Sequence, residues 1–419
     1  MVVNMAQLAI NGGPKTVTLD DREATRWPII GEEEIQAIID AIKSGRFASY
    51  ETIREFESDF AKYHGVRYAL AHNNGTSALH AAYFAAGVGP GDEVIIPSYQ
   101  WHTAVTPILA CHATPVFCEI DPRTFTADPE DIKRKITPRT KAICIVHIWG
   151  VPADMDPIME IARDHNLVVI EDVSHAHGNL YKGRKLGTIG DIGCFSLQMG
   201  KSMVAGEGGV LITNNYEYYS RAVLLGHYER IPELTKDEYR KYHICNFGFK
   251  YRMHPLAAVI ARIQLKHLDE RNAIRRENME YLTKGLMEID GIEPQYIPPY
   301  ATMGSWYGYR VKYYHEKLGV PKKRFIEALR AEGVRADEER YKLAHLQPMF
   351  QERKKPIRSL LDCPNFRLRL YKKGDLPITE DVVSRLISLP VFHNKGCKEL
   401  IDQYIEAFRK VVSNIDELK

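Results

Sequence analysis

The chain has 419 residues, 45% of them hydrophobic and 26% charged, and a formal net charge of +2, which fits a soluble globular protein with a sizeable core and makes no demand for nucleic acid. Seven cysteines, at 111, 118, 144, 194, 245, 363 and 397, form no C-x-x-C pair, and several sit in apolar runs, so they read as reduced, mostly buried thiols of a cytoplasmic protein. The start is too short and interrupted for a signal peptide, and no segment reaches the roughly 18 apolar residues that a membrane span requires.

After an N-terminal lead over 1–30, EEEIQAIIDAIKSG places Ile35, Ile38, Ile39 and Ile42 on one helical face, with Gly45 as its stop. Apolar runs YALAH, DEVIIPSY, TPVFCEI, KAICIVH and LVVIEDV then alternate with helical segments such as GTSALHAAYFAAG and MDPIMEIARDHN. That alternation predicts an α/β fold: a mainly parallel sheet with helices on both faces, and ligands at the strand C-terminal ends. DIGCFSL and GGVLITN add two short strands around a glycine-rich loop. One long helix is expected from Pro255, with Leu256, Ile260, Ile263 and Leu268 as its apolar stripe. Beyond it, strand-like YGYRVKYY and ISLPVF and helical KKRFIEALRAEG and KELIDQYIEAFRKVV suggest a smaller α+β domain. The expected division is a large domain over 31–270 and a small one over 271–419.

Four features can carry chemistry. His72-Asn73-Asn74-Gly75-Thr76-Ser77-Ala78 joins a strand to a helix, where free N–H groups and the helix dipole attract an anion such as phosphate; an ordinary N-cap would use the same residue types. Gly87-x-Gly89-x-Gly91 follows a helix and precedes a strand, the wrong order for a dinucleotide fingerprint, and reads as a turn. At the end of LVVI stand Asp172, His175 and His177: a strand-end carboxylate suits a pyridinium nitrogen and His175 could pack on the ring, while H-x-H beside an aspartate also suits a metal. Lys201 lies in FSLQMGKSMVAGEGG, after an apolar strand and with almost no charge nearby except Glu207, a setting that favours a neutral amine able to form an imine. Trp101, just after VIIPSY, offers an aromatic plane to a cofactor ring, with core packing the alternative.

The set DVSHAHG, YKGRKLGTIGD, FSLQMGK with AGEGG, and FKYRMHPLAA, in that order, resembles the pyridoxal-phosphate sugar aminotransferases of the DegT/StrS family, from about residue 30 to 272 and more weakly beyond. The resemblance implies an aspartate-aminotransferase type of fold (fold type I) and a homodimer with active sites at the interface. It implies Lys201 as Schiff-base lysine, Asp172 on the ring nitrogen, and His175 and Trp101 at the ring. Gly75, Thr76 and Ser77 match the phosphate loop, with Ser196 and Gln198 near the phosphate and the phenolic oxygen. The family often has Asn-Tyr-Arg-Met where this chain has Lys250-Tyr251-Arg252-Met253, and that asparagine reaches the partner's phosphate; a lysine there keeps a donor on a longer stem.

The implied activity is ping-pong transamination, from glutamine or glutamate to a keto-sugar, often nucleotide-linked, or a keto-cyclitol such as an inosose. Ser305-Trp306-Tyr307-Gly308-Tyr309-Arg310 leans toward the cyclitol members. A pyridoxamine-dependent dehydratase of the same family would replace the lysine, usually with histidine, and this chain keeps Lys201. A regulatory protein retaining the fold is opposed by the near-neutral charge, the lack of an evident helix-turn-helix and the presence of both Lys201 and Asp172. Acceptor choice is assigned to 44–52, 228–246 and 340–373, the last carrying the cations Arg367, Arg369, Lys372 and Lys373 on a surface that could equally be solvated.

Overall fold

The computed structural model describes residues 7–245, 248–352 and 368–419. Strands β1 (Tyr68–His72), β2 (Glu93–Pro97), β3 (Thr114–Cys118), β4 (Thr140–Val146) and β5 (Val168–Asp172) follow the five apolar runs. After the short pair β6 (Leu180–Tyr181) and β7 (Arg184–Lys185), β8 (Ile192–Ser196) and β9 (Gly209–Thr213) complete a seven-stranded sheet of order β1-β9-β8-β5-β4-β2-β3. Only β9 runs against its neighbours; the other described pairings in this sheet are parallel. Every residue of β2, β3 and β9 is buried, which is why these runs are continuously apolar rather than alternating: helices cover both faces.

The helix Gly75–Ala85 lies against β8 and β9. Ala78, Ala81, Ala82 and Ala85 are all buried there, and such small side chains let a helix sit close to a sheet. Asn74 caps it, its Oδ1 accepting from Ser77 N at 2.8 Å. This capped end therefore meets the strand ends directly.

The expected long helix is two, Pro255–Lys266 and Leu268–Met287, meeting at His267. The stripe also differs. Ala258, Ala261 and Leu265 are buried, whereas Leu256, Ile260 and Ile263 are half-buried. Helices Glu32–Lys43 and Tyr50–His64 pack on this helix, and the narrow alanines allow that close approach. On Glu32–Lys43 itself, Ile35, Ile39 and Ile42 face outward and remain exposed.

The C-terminal part builds β10 (Ile292–Pro294), β11 (Ala301–Thr302), β12 (Tyr309–Tyr313), β13 (Asp337–Glu338) and β14 (Leu386–Leu389). β11 joins β6 and β7, while the others form an antiparallel sheet of order β10-β12-β14-β13. Helices Lys322–Ala331 and Lys398–Ser413 bury Phe325, Leu329, Ile401 and Phe408 in the core that also holds Val311. The N-terminal stretch belongs here as well: Leu8 and Val17 enter this core, and the buried Glu332 carboxylate accepts from Ala9 N at 2.8 Å and Thr16 N at 3.1 Å. Conversely, Ala344, Phe350 and Tyr371 pack against the main sheet's helical layer, Tyr371 Oη accepting from Phe117 N at 2.9 Å. Arg369, Lys372 and Lys373 are exposed, and Arg367, Cys363 and Asn246 lie outside the described residues.

One turn brings the two parts together at the strand ends. Trp149 has φ +58° and Gly150 φ +110°, and a Cβ on Gly150 would lie 2.1 Å from the Ser305 carbonyl oxygen. Only glycine permits that approach. The turn after β4 thus carries the segment containing Tyr307.

Candidate active site

The C-terminal ends of β5 and β8, the capped helix and the glycine-rich loop converge on one place. A Cβ on Gly75 would stand 2.6 Å from Ser196 Cβ, so the first helical turn can meet the end of β8 only because residue 75 has no side chain. Thr76 and Ser196 are half-buried and Ser77 is buried. The first turn of any helix leaves backbone N–H groups without an intrahelical partner, and the dipole there favours an anion.

Strand alternation separates the two acids ending β5. Glu171 is fully buried and accepts from Gly187 N, Ile189 N and Gly190 N at 2.8, 2.8 and 2.6 Å and pairs with His147 Nε2 at 3.1 Å. Burial would raise its pKa, but His147 and these amides outweigh that and lower it. Glu171 is a structural anchor. Asp172 points to the opposite face, near the Gly75–Ala85 helix; it is 7% exposed, and one oxygen accepts from Ser174 N at 3.0 Å. The remaining acceptor capacity of this carboxylate can hold a protonated ring nitrogen.

His175 sits in an aromatic stack, its ring 4.1 Å from that of Tyr307 and 5.3 Å from that of Trp149, both nearly parallel to it. Its Nδ1 accepts from Trp149 N at 3.2 Å, which assigns the ring proton to Nε2, 3.4 Å from Tyr341 Oη. Burial, then the nearby Lys201 and Arg310 cations, push its pKa well below the usual value and keep it neutral. His177 turns elsewhere, toward Phe195, and among the described residues no three His, Cys, Asp or Glu side chains converge as a metal site.

Lys201 is 7% exposed, with its Nζ 3.9 Å from the centroid of the Tyr307 ring. Trp27 Nε1 donates to its carbonyl at 2.8 Å, and its own N–H bonds the Gln198 carbonyl at 2.8 Å. Burial pushes the ammonium below the ordinary lysine value of 10.5, against the pull of Tyr307 and Asp172. Burial would raise the Tyr307 phenol, yet Lys201 and Arg340 outweigh it and lower its pKa. The surroundings are therefore more cationic than the neighbouring sequence implies, because Arg310 and Arg340 arrive from the small sheet.

Other predicted residues take different positions around this centre. Trp101 is 45% exposed, its ring 5.1 Å from Tyr341. Gln198 Oε1 accepts from Gly200 N at 2.8 Å and so shapes the lysine loop. Lys250 is exposed and bridges His227 in an antiparallel pair. Sequence reasoning missed Trp149, although the strand-end argument applied to Trp101 fits it equally, and Trp149 is the fully buried one. It placed Tyr307 and Tyr341 only in stretches tied to acceptor choice and gave neither a part beside Lys201, over a hundred residues away in the chain.

These residues suit pyridoxal phosphate: a side-chain-free helix start for the phosphate, a strand-end carboxylate for the ring nitrogen, and a desolvated amine for the aldehyde. A profile of the "DegT/DnrJ/EryC1/StrS aminotransferase family" matches residues 28–409, and the chain belongs to that family. It is a pyridoxal-phosphate-dependent aminotransferase. It is 33% identical over 432 aligned positions to the L-glutamine:scyllo-inosose aminotransferase of Streptomyces griseus, covering 99% of each chain. It is 46% identical to the GDP-perosamine synthase of Caulobacter vibrioides over 245 positions, 58% of this chain and 63% of that one. The solved aminotransferase from Psychrobacter cryohalolentis superposes with a TM-score of 0.80 at 29% identity, covering 93% of this chain and 99% of that one.

The lowered Lys201 pKa has a sign that can be tested without substrate. The native state holds this proton less tightly than the unfolded chain, so the buried ammonium subtracts from stability at all pH below its folded value; the penalty fades as pH rises from there to 10.5. Cofactor-free Lys201→Met is expected to melt above the parent at pH 7, with the gap narrowing toward pH 10.5. Equal melting temperatures at pH 7 would contradict a desolvated amine.

Proposed function

We propose that this aminotransferase moves an amino group from L-glutamine to the ring ketone of an inosose-type cyclitol. The end-to-end correspondence with the Streptomyces griseus enzyme carries that reading. Charge in the cleft supports it: Arg310 pairs with Glu339, Arg330 with Asp337 and Arg335 with Asp21 at 3.5 Å, so much of the wall is neutralised within the chain, as suits an uncharged polyol. A nucleotide-linked keto-sugar is the second reading, favoured by the 46% identical stretch shared with the perosamine enzyme.

The Gly75–Ser77 helix start holds the phosphate, Asp172 keeps a proton on the pyridine nitrogen, and His175 bounds the ring. Bound there, pyridoxal phosphate supplies the carbonyl that exchanges for an amine and a ring that withdraws electrons from the adjacent C–H bond. Lys201 would hold the cofactor through Nζ, and the same amine, once free, would take the donor's α-proton and hand it back. Burial pushes the pKa of that amine below the ordinary lysine value. Tyr307, with Trp149 stacked on it, lies against the amine.

A homodimer completes this reading. Ile30, Ile35, Ile39, Ile42, Phe47 and Tyr50 are all exposed within one segment, an apolar surface of the kind that a second subunit covers. Lys250 is exposed, its ammonium 5.9 Å from the Tyr228 ring centroid, on a surface that a neighbouring subunit could meet. The cytoplasm suits the five buried, free cysteines at 111, 118, 144, 194 and 397; among the described residues no helix is long and apolar enough to cross a membrane.

The purified protein, loaded with pyridoxal phosphate, should show a visible or near-ultraviolet band that Lys201→Ala abolishes, L-glutamine bleaches and scyllo-inosose restores. A protein that takes up no cofactor sinks the reading, and restoration only by nucleotide-linked keto-sugars would select the second acceptor class. Ile35→Glu with Ile39→Glu should convert the dimer to monomer in sedimentation; an unchanged mass would remove this face from the interface.

A further inference from the structure

A cavity of about 860 Å³ opens beside the lysine loop, and its wall includes Gly200, Tyr307 and five arginines. Three of these arginines are answered by acids of the chain, Arg310 by Glu339, Arg330 by Asp337 and Arg335 by Asp21, and a fourth, Arg275, is 1% exposed. Arg340 is neither paired nor buried. It is exposed, has no carboxylate partner among the described residues, and donates from Nη2 to Tyr307 Oη at 3.3 Å.

Anchored neighbours set the position of this arginine. Glu339 accepts from Tyr99 Oη at 2.9 Å and from Tyr341 N at 2.7 Å, besides pairing with Arg310. Tyr341 is 4% exposed, its Oη 3.4 Å from His175 Nε2. Held between them, Arg340 has its guanidinium carbon 5.9 Å from the Tyr307 ring centroid and 5.6 Å from that of Tyr341. Lys201 Nζ lies 3.9 Å from the same Tyr307 centroid, so one phenol ring stands between the cation and the reacting amine. After burial, the Arg340 charge is the next influence that lowers the Lys201 pKa.

We propose that Arg340, braced by Tyr307 and Tyr341, binds the α-carboxylate of the amino donor. The donor's nitrogen must come to the carbon that Lys201 holds, and its carboxylate is attached to the carbon bearing that nitrogen. It is therefore the one substrate charge bound to stay near the lysine. An inosose carries no charge, and the phosphates of a nucleotide-linked sugar are separated from its ketone by sugar carbons. The bond to Tyr307 uses one of the five N–H groups of the guanidinium, which leaves one fork of neighbouring N–H groups open to a carboxylate. The proposal rests on the donor reading above and adds the residue that selects for it. In a ping-pong cycle the donor leaves before the acceptor binds, so the donor half-reaction alone needs this contact.

The test uses the pyridoxal-phosphate-loaded enzyme in single half-reactions. L-glutamine and its α-carboxamide differ only at the carboxylate. The parent should favour glutamine in kcat/KM by about 10- to 100-fold, and Arg340→Met should reduce that preference to near unity. A merely structural loss would slow both amines alike and leave the ratio intact. Glutaramate, which keeps the carboxylate and lacks the amine, should bind the variant more weakly by a similar factor in calorimetry. Arg340 is exposed, so its truncation opens no core; should Arg340→Met nonetheless fail to fold, Arg340→Gln removes the charge, keeps a polar end and is read by the same ratio. A parent without the preference, or a folded variant that retains the parent's ratio and its glutaramate affinity, overturns the proposal. If the parent ignores glutamine but accepts glutamate, the donor reading alone falls, and glutamate with its 1-amide then decides the carboxylate site.

Discussion

Everything at this site follows from taking one lysine amine out of water. The Lys201 side chain is buried at the end of a sheet, against an aromatic ring and with two arginines from the small sheet in the same region. Water and a close carboxylate partner would both favour the ammonium; the fold limits both, and the amine is biased toward the form that attacks a carbonyl. The surrounding architecture maintains this state. β5 and β8 bring Asp172 and Ser196 to the same edge, the Gly75 helix start closes one side, and the turn at Trp149 and Gly150 closes the other.

The main sheet was legible because its strands are buried on both faces and so spell continuous apolar runs, with helices between them. The Asp172 and Lys201 pair was legible because strand-end acids and glycine-rich loops leave local marks, strengthened by the order of linked motifs. What escaped is long-range. Tyr307, Arg340 and Tyr341 approach Lys201 from the small sheet, and their roles depend on a fold-back that no local pattern announces. The helix after Pro255 misled for a different reason: alanines make the closest contacts there, so the largest apolar residues do not mark the buried face. The exposed isoleucines of Glu32–Lys43 reverse that lesson, since a good apolar stripe need not be buried within one chain.

Charge in the cleft is distributed unevenly. Arg310, Arg330 and Arg335 are matched by acids of the same chain, which positions them without offering strong fields to a substrate. Arg275 is the contrary case, buried with Nε and Nη1 unpartnered among the described residues. The N-terminal stretch also reaches this region: Trp27 bonds the Lys201 carbonyl and lies against the Arg275 guanidinium.

The central claim is that Lys201, and no other lysine, carries the cofactor. Borohydride reduction of the pyridoxal-phosphate-loaded protein fixes the cofactor to whichever amine holds it, and peptide mass mapping then locates it. The account predicts one pyridoxyl-bearing peptide, containing Lys201, which disappears when the enzyme is first converted with excess glutamine. A stable adduct at Lys250 or any other lysine, with Lys201 unmodified, would contradict it.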